Sequence, residues 1–94
     1  MLQIMLKQLE YLFKLARERK IRPKDKSYTN QLLKDKILSK EKVEEEIEEL
    51  IDAVKQNSNQ IHEAADVFYH LIMYLEANDI KIEDVMIELE KRKK

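Results

Sequence analysis

Carboxylates gather at two places in this 94-residue chain, whose formal net charge is only −1. The segment EKVEEEIEEL, residues 41–50, carries six glutamates, and EAADVFYHL, residues 63–71, adds an acidic pair. Glu46 and Glu49 are three residues apart, as are Glu63 and Asp66, and residues at this spacing lie one above the other on a helix. Two such pairs on facing helices would converge and repel each other unless a cation lies between them.

Oxygen ligands of this kind suit a hard divalent cation. Mg²⁺ takes a few carboxylates in near-octahedral geometry and completes its shell with water and phosphate oxygens. We therefore expect Glu46, Glu49, Glu63 and Asp66 to hold Mg²⁺, with Mn²⁺ as the alternative ion. The other interpretation is a solvated helix face, which is the usual role of one E-x-x-E pair on a charged helix. The second pair favours the metal, because its neighbours are mostly apolar and buried acids need partners.

Composition indicates that helices must position these acids. The chain has no glycine and one proline, so β-hairpin turns and glycine-rich phosphate loops are excluded. It has no cysteine, which excludes disulfides and thiolate metal sites. The 18 basic and 19 acidic residues are mixed, and this balance favours neither nucleic acid nor a membrane as partner. Since no apolar run approaches the roughly 20 residues of a membrane span, we expect a cytoplasmic protein with a single all-α domain over residues 1–94.

Hydrophobic periodicity predicts four long helices and one short helix, packed as a four- to five-helix bundle. Pro23 separates the first two, Ser27 and Ser39 are the expected N-caps of the second and third, and Asn78 is the expected C-terminal cap of the fourth. The predicted helices cover about residues 2–20, 28–35, 40–56, 59–77 and 82–92. The apolar stripe of the first consists of Leu2, Met5, Leu6, Leu9, Leu12, Phe13 and Ala16.

The third predicted helix places its acids on different sides. Its apolar face consists of Val43, Ile47, Leu50, Ile51 and Val54. At 100° per residue, Glu46 and Glu49 flank this face and must meet whatever packs against it, whereas Glu45 lies nearer the outside. The acids on the solvated side are Glu44, Glu48 and Asp52.

The fourth predicted helix is apolar on two sides. Its main apolar arc consists of Ile61, Ala64, Ala65, Phe68, Leu71, Ile72 and Leu75. The opposite side carries a polar group together with further apolar residues, namely Glu63, Asp66, His70, Val67, Met73 and Tyr74. A helix of this kind is covered on both sides. Because a small helical chain cannot easily cover both, we expect a homodimer or a higher homo-oligomer.

The pattern E-E-x-x-E followed by E-x-x-D resembles the signature of the MazG-like all-α nucleoside triphosphate pyrophosphohydrolases. Within that superfamily, three segments are similar to the phosphoribosyl-ATP pyrophosphohydrolase family: LARERK at 15–20, SYTNQLL at 27–33, and EAADVFYHL at 63–71 leading to IKIEDVMIELEKR at 80–92. The resemblance spans about residues 9–91, and SYT followed by two leucines is its most specific part. Two departures are Glu44, where the family usually has glycine, and the length of KDKILSKE at 34–41, which leaves Lys34, Lys36 and Lys40 unassigned.

The resemblance implies a MazG-like dimeric fold and hydrolysis of phosphoribosyl-ATP to phosphoribosyl-AMP and pyrophosphate, the second step of histidine biosynthesis. It implies catalytic roles for Glu45, Glu46 and Glu49 and a metal shell of Glu46, Glu49, Glu63 and Asp66. The implied substrate-binding residues are Lys42, Arg19, Arg22, Ser27, Tyr28 and Thr29. The role of Glu45 stays open between binding a second ion, orienting a ligand and accepting a proton from water.

The two histidines receive different expectations. His70 lies one turn from Asp66, close enough to hydrogen-bond a ligand carboxylate and orient it, and the alternative is an interior histidine whose hydrogen bonds are satisfied within the fold. His62, at the start of the fourth helix, is expected to be a surface residue.

Two alternative functions remain open at this point. One is a house-cleaning pyrophosphohydrolase of the same superfamily acting on another nucleoside triphosphate, against which the SYT segment argues. The other is a non-catalytic helical interaction module, whose acids are solvated and whose apolar surfaces bind partner helices.

Overall fold

The computed structural model describes the backbone of residues 2–93 and the side chains of residues 6–93. Its helices are α1 (Leu2–Ile21), α2 (Tyr28–Lys34), α3 (Lys36–Gln56), α4 (Gln60–Ala77) and α5 (Ile82–Lys91). Residues 2–93 contain no strand, so the all-α fold class is confirmed. The side chains of Leu2 and Met5, expected in the stripe of the first helix, lie outside the described residues. None of the helices combines the length and hydrophobicity that a membrane crossing requires.

The helix starts follow the capping residues, with one correction. Ser27 caps α2 as predicted, and its Oγ accepts a hydrogen bond from the Asn30 backbone N–H at 3.3 Å. The prediction of Ser39 as the cap of α3 is wrong, because Asp35 ends α2 and also starts α3 by accepting from the Leu38 N–H at 3.0 Å. Ser39 instead lies buried inside the helix. Aspartate is a strong N-cap, so the helix begins at the first cap that the chain offers.

Asparagine and aspartate make the turns that glycine would usually make. Asn57, Asn59 and Asp79 adopt left-handed backbone angles, with φ of 53°, 59° and 56°, which these side chains tolerate better than most. Asn78 is the C-terminal cap of α4 as predicted. The short turn through Asn57 and Asn59 joins α3 to α4 as an antiparallel pair. The two acidic segments are therefore brought face to face.

The core forms where α4 meets the other helices. Ala16, Leu32, Leu33 and Met73 form its buried cluster, and α4 packs against α1, α2 and, most extensively, α3. The arc of α4 predicted as its main packing surface is largely open in the single chain, where Ile61 is 88% exposed and Phe68 53% exposed. The opposite side, with His70, Met73 and Ala77, is buried instead. The reason is that α1 and α2 pack on that side, which the residue types of α4 alone do not reveal.

The packed side of α3 is likewise rotated from the predicted centre. Val43 and Ala53 are buried, whereas Ile47, Ile51 and Val54 are exposed. This rotation turns α3 so that its contact with α4 runs along the side that carries Glu46. Six exposed apolar residues of α3 and α4 define what we call the open apolar face: Ile47, Ile51, Val54, Ile61, Phe68 and Leu71.

Candidate metal centre

The α3–α4 pair brings acids from both helices together. Glu46, Glu49 and Glu63 each offer a carboxylate oxygen, and these oxygens lie within 4.8 Å of one another. Asp66, almost one turn further along α4, lies in a second group with Glu63 and His62 that meets the same distance limit. The predicted metal ligands thus form two overlapping triads that share Glu63, rather than one cluster of four.

The electrostatics of the first triad are those of a site lacking positive charge. Burial, followed by the nearby carboxylates of Glu49, Asp66 and Glu63, raises the pKa of Glu46 to about 7. Burial and the neighbouring Glu49 also raise the pKa of Glu63. One carboxylate oxygen each of Glu46 and Glu63 is buried and has no hydrogen-bond partner among the described residues. Buried oxygens of this kind need a donor or a cation, so the residues present fit a hard divalent ion.

His62 lies at this site and was missed by the sequence analysis. Its Nε2 is 3.3 Å from Oδ2 of Asp66, although most of the side chain is exposed as expected. The signal that could have found it is the spacing of four residues, which places His62 and Asp66 on one helix face. The second triad therefore offers one imidazole nitrogen beside its oxygens.

Glu45 lies outside both triads. Its Oε2 is 3.4 Å from the Lys42 Nζ on the same helix, and both groups are at least partly open to water. The neighbouring Glu45 is the main reason that the pKa of Lys42 is raised. The structure thus places a lysine–glutamate pair at the edge of the acidic site.

His70 connects α4 to α2 rather than to a ligand carboxylate. Its Nδ1 is 2.8 Å from the Asp66 backbone oxygen and not bonded to a carboxylate, so the alternative of a buried histidine with satisfied hydrogen bonds is the one the structure shows. Since a carbonyl only accepts, Nδ1 carries the proton and donates. Nε2 of the neutral ring then accepts from the Tyr28 hydroxyl at 2.8 Å. Side chains on helices commonly bond the carbonyl one turn back, and this buried bond fixes the histidine ring.

Tyr28 is the first residue of α2, and its hydroxyl is close enough to Lys42 and Glu46 to be affected by their charges. Burial raises the pKa of its hydroxyl, Lys42 lowers it, and Tyr69, Glu46 and Glu45 raise it further. The rings of Tyr28 and Tyr69 stack with centroids 6.4 Å apart, and the Thr29 hydroxyl hydrogen-bonds the Tyr69 hydroxyl. Of the SYT segment, Tyr28 therefore faces the acidic site, whereas the Thr29 side chain packs against α4.

The predicted basic residues are separated. Arg19 donates from Nη1 to Ser27 Oγ at 2.9 Å, and both residues line a cleft between α1 and α2 with a volume of about 390 Å³. Arg22 forms an exposed ion pair at 2.6 Å with Glu18, one turn earlier in α1. The structure therefore places Lys42 and Tyr28 near the acids, Arg19 and Ser27 at the cleft, and Arg22 at neither.

The chain is all-α in residues 2–93, and α3 and α4 bring E-E-x-x-E opposite E-x-x-D, the pattern that resembles the all-α nucleoside triphosphate pyrophosphohydrolases. Residues 6–93 match the family model described as phosphoribosyl-ATP pyrophosphohydrolase. The chain belongs to that family.

Curated relatives agree with the family model. A phosphoribosyl-ATP pyrophosphatase of Bacillus mycoides (strain KBAB4) is 43% identical over 89 residues, covering 89% of this chain and 81% of the relative. One of Clostridium novyi (strain NT) is 40% identical over 91 residues, covering 92% and 81%. One of Methanocella arvoryzae is 38% identical over 93 residues, covering 92% of this chain and 96% of the relative. No solved structure matched the chain.

Proposed function

We propose that this protein hydrolyses the α–β phosphoanhydride of phosphoribosyl-ATP, releasing pyrophosphate and phosphoribosyl-AMP, in the histidine biosynthesis of the cytoplasm. The observation that carries the proposal is the pair of buried, unpartnered carboxylate oxygens of Glu46 and Glu63, in a chain that matches the family over residues 6–93. An interaction module with solvated acids would leave no carboxylate oxygen buried without a partner.

The acids of α3 and α4 are the proposed ligands of Mg²⁺, for which Mn²⁺ could substitute. When bound, the ion supplies positive charge to the triphosphate and activates water for the attack. Glu46, Glu49 and Glu63 form the first triad, and Asp66 extends the site along α4. These acids repel one another when no ion is bound. A divalent cation between the two helices would relieve this repulsion, so the negative charge of the site favours its binding.

The residues at the edge of the site bind and orient the nucleotide. Lys42 offers an ammonium group to the triphosphate, and Glu45 restrains it at 3.4 Å. We assign to Glu45 the orientation of this lysine. Tyr28, whose hydroxyl is fixed by His70, presents a ring that is 43% exposed and is suited to stacking on a base.

We also propose that the chain works as a homodimer through its open apolar face. Side chains as large as Ile61 and Phe68 are exposed there, and apolar surface of this kind on one pair of helices favours association. Analytical ultracentrifugation of the wild type and of Phe68→Glu tests this directly. We expect a dimer that the substitution converts to a folded monomer, and a monomeric wild type would overturn the assignment.

A turnover screen tests the activity. The purified protein is incubated with Mg²⁺ and phosphoribosyl-ATP, ATP, dATP or inosine triphosphate, and released pyrophosphate is measured. We expect efficient release from phosphoribosyl-ATP, weak release from the others and none in excess EDTA. Preference for an ordinary or noncanonical triphosphate would assign the chain to house-cleaning instead. No turnover, with no heat on titrating Mg²⁺ and a nonhydrolysable triphosphate, would favour the interaction module.

A further inference from the structure

The cleft between α1 and α2 is strongly basic. It lies where the C-terminal end of α1, the connecting loop and α2 meet, and its volume is about 390 Å³. One acidic residue, Asp25, is among the residues that line it. The basic residues that line it, which define the basic cleft, are Arg19, Lys20, Lys24, Lys26 and Lys34.

Most of this positive charge is not used inside the protein. Lys20 is occupied, because its Nζ donates to the Glu76 backbone oxygen and to Asp79, each at 2.8 Å. Lys24, Lys26 and Lys34 form no ion pair with any carboxylate in the part of the chain that the structure describes. The basic cleft therefore has five basic residues against one acidic residue, Asp25, and three of its lysines are in no ion pair among the described residues.

The walls of the cleft are held by buried hydrogen bonds. The Asn30 side chain is buried, accepts from the Lys24 backbone N–H and donates to the Arg19 backbone oxygen, both at 2.9 Å. Ser27 Oγ accepts from Arg19 Nη1 at 2.9 Å, which uses one of the five guanidinium donors. The remaining donors of Arg19 stay available at the cleft wall. A fixed arginine beside free lysines is a prepared site for a phosphate group.

We propose that the basic cleft binds the phosphate of the ribose 5-phosphate group that distinguishes phosphoribosyl-ATP from ATP. The inference rests on the proposed function, since that substrate carries a triphosphate at one end and a phosphate monoester at the other. Ser27 lines the cleft, while the next residue, Tyr28, reaches His70 beside the acidic site. One extended ligand can therefore place its triphosphate at the acids and its monoester in the cleft. In this arrangement the cleft determines substrate specificity and the acids perform the chemistry.

Binding of fragments tests the cleft without turnover. Metal-free, ¹⁵N-labelled protein in EDTA is titrated with ribose 5-phosphate, ribose or inorganic phosphate, so that the acidic site cannot recruit phosphate through a cation. We expect amide shifts within residues 19–34 for ribose 5-phosphate, weaker shifts at the same residues for phosphate and none for ribose. No shifts, or shifts that ribose produces equally, would overturn the proposal.

A triple variant sharpens the test. Lys24→Gln, Lys26→Gln and Lys34→Gln together remove the free charge and leave the buried Asn30 bonds intact. The matched control changes three exposed lysines elsewhere, Lys7, Lys14 and Lys55, to glutamine. We expect the cleft variant alone to lose the ribose 5-phosphate shifts and to raise KM for phosphoribosyl-ATP about 10-fold or more, with kcat within about 2-fold, because charge-assisted contacts to the phosphate are lost.

The two proposals fail separately. A wild type that turns over phosphoribosyl-ATP with the same KM as the cleft variant would overturn the cleft assignment and leave the proposed function intact. A wild type that does not cleave phosphoribosyl-ATP would overturn the proposed function. The fragment titration would then still decide whether the cleft is an anion site, because it depends on neither metal nor turnover.

Discussion

Glu76, near the C-terminal end of α4, is buried, and Glu63, near its N-terminal end, is half-buried with one buried carboxylate oxygen; the charges around the two acids differ. Near the C-terminal end, the Glu76 side chain is 6% exposed and lies 3.2 Å from Arg17 Nε and 3.7 Å from Lys20 Nζ. Near the N-terminal end, Glu63 faces Glu46 and Glu49 from α3, and buried oxygens of Glu46 and Glu63 have no partner among the described residues. One acid is neutralised by the protein, and the other is not.

The difference separates a structural acid from a functional one. Cations from α1 compensate Glu76, so it contributes to the docking of α1 on α4. Burial, followed by the neighbouring carboxylates, raises the pKa of Glu46 and of Glu63. No lysine or arginine of residues 6–93 forms an ion pair with either acid. Such a cluster costs stability in the empty protein, and a bound divalent ion is what offsets the cost. Changes at the two ends should therefore have opposite effects on stability.

The largest expected effect is on turnover at the acidic end. Glu49→Gln removes one carboxylate of the first triad, and we expect hydrolysis to fall more than about 100-fold, with helicity unchanged, because metal affinity depends on each ligand. The matched control is Glu48→Gln, one residue earlier on the solvated side of α3, which should keep full activity. Pyrophosphate release and circular dichroism measure the two properties. Equal losses in both variants would mean that the assignment of helix faces is wrong.

The next largest effect is expected on protein stability, at the C-terminal end of α4, where Arg17 and Lys20 compensate the charge of Glu76. Glu76→Gln leaves Arg17 and Lys20 without their buried partner, and breaking a partly buried pair of this kind should cost about 2–3 kcal/mol. In a domain of this size, that lowers Tm by roughly 10 °C or more. Glu88→Gln is the control, because its pair with Arg92 is exposed and such pairs contribute below about 1 kcal/mol. A Glu76→Gln protein as stable as the control would remove the contrast between the two ends.

A smaller change in stability is expected when Glu46 is substituted, and it is a gain, whereas Glu76→Gln causes a loss. The Glu46 pKa of about 7 in the folded chain lies above the ordinary value of 4.5, so its protonated form stabilises the metal-free fold at low pH. That stability is lost as pH rises from about 4.5 through 7, because the unfolded chain releases the proton first. We therefore expect the metal-free wild type to melt at a lower temperature at pH 8 than at pH 5. Glu46→Gln should raise Tm by about 5 °C at pH 8, the shift that about 1 kcal/mol produces.

Thermal melts in EDTA at both pH values measure this, and the same melts with Mg²⁺ are the control. A bound ion should remove most of the pH dependence in the wild type, because it compensates the charges directly. A wild type that becomes more stable as pH rises in EDTA would contradict the prediction.

Local patterns predicted much of the fold and of the acidic site. Helix periodicity gave the five helices, Ser27 and Asn78 were identified as caps, and the angular positions of Glu46 and Glu49 placed them beside the packed face. Each of these depends on residues close in sequence, so the chain alone carries the information. Glu46 and Glu49 on α3, and Glu63 and Asp66 on α4, are each three residues apart. The antiparallel turn between the two helices is then sufficient to bring the two pairs together.

Contacts between distant elements could not be predicted in the same way. Both sides of α4 are apolar, and which one the single chain buries depends on where α1 and α2 pack. Asp35 was overlooked as a cap because one residue serves two helices. For His70 the sequence left open a bond to a ligand carboxylate or an interior role, and the choice depends on Tyr28 of α2, which bonds the other ring nitrogen. The basic cleft required the fold itself, since its lysines come from a loop and a helix with no shared periodicity.

The smallest expected effect is on metal binding by His62. This residue offers one imidazole nitrogen beside the carboxylate oxygens at the N-terminal end of α4. Its Nε2 lies 3.3 Å from the Asp66 carboxylate, and imidazole binds first-row transition ions better than it binds Mg²⁺. We expect His62→Asn to weaken Mn²⁺ binding by a few-fold and to leave Mg²⁺ binding unchanged, since a nitrogen contributes little to a Mg²⁺ shell. Electron paramagnetic resonance of free Mn²⁺, with and without competing Mg²⁺, measures both affinities in one titration. An equal loss of affinity for the two ions would mean that His62 only orients Asp66. No loss of affinity for either ion would mean that His62 is a surface residue without a role in metal binding.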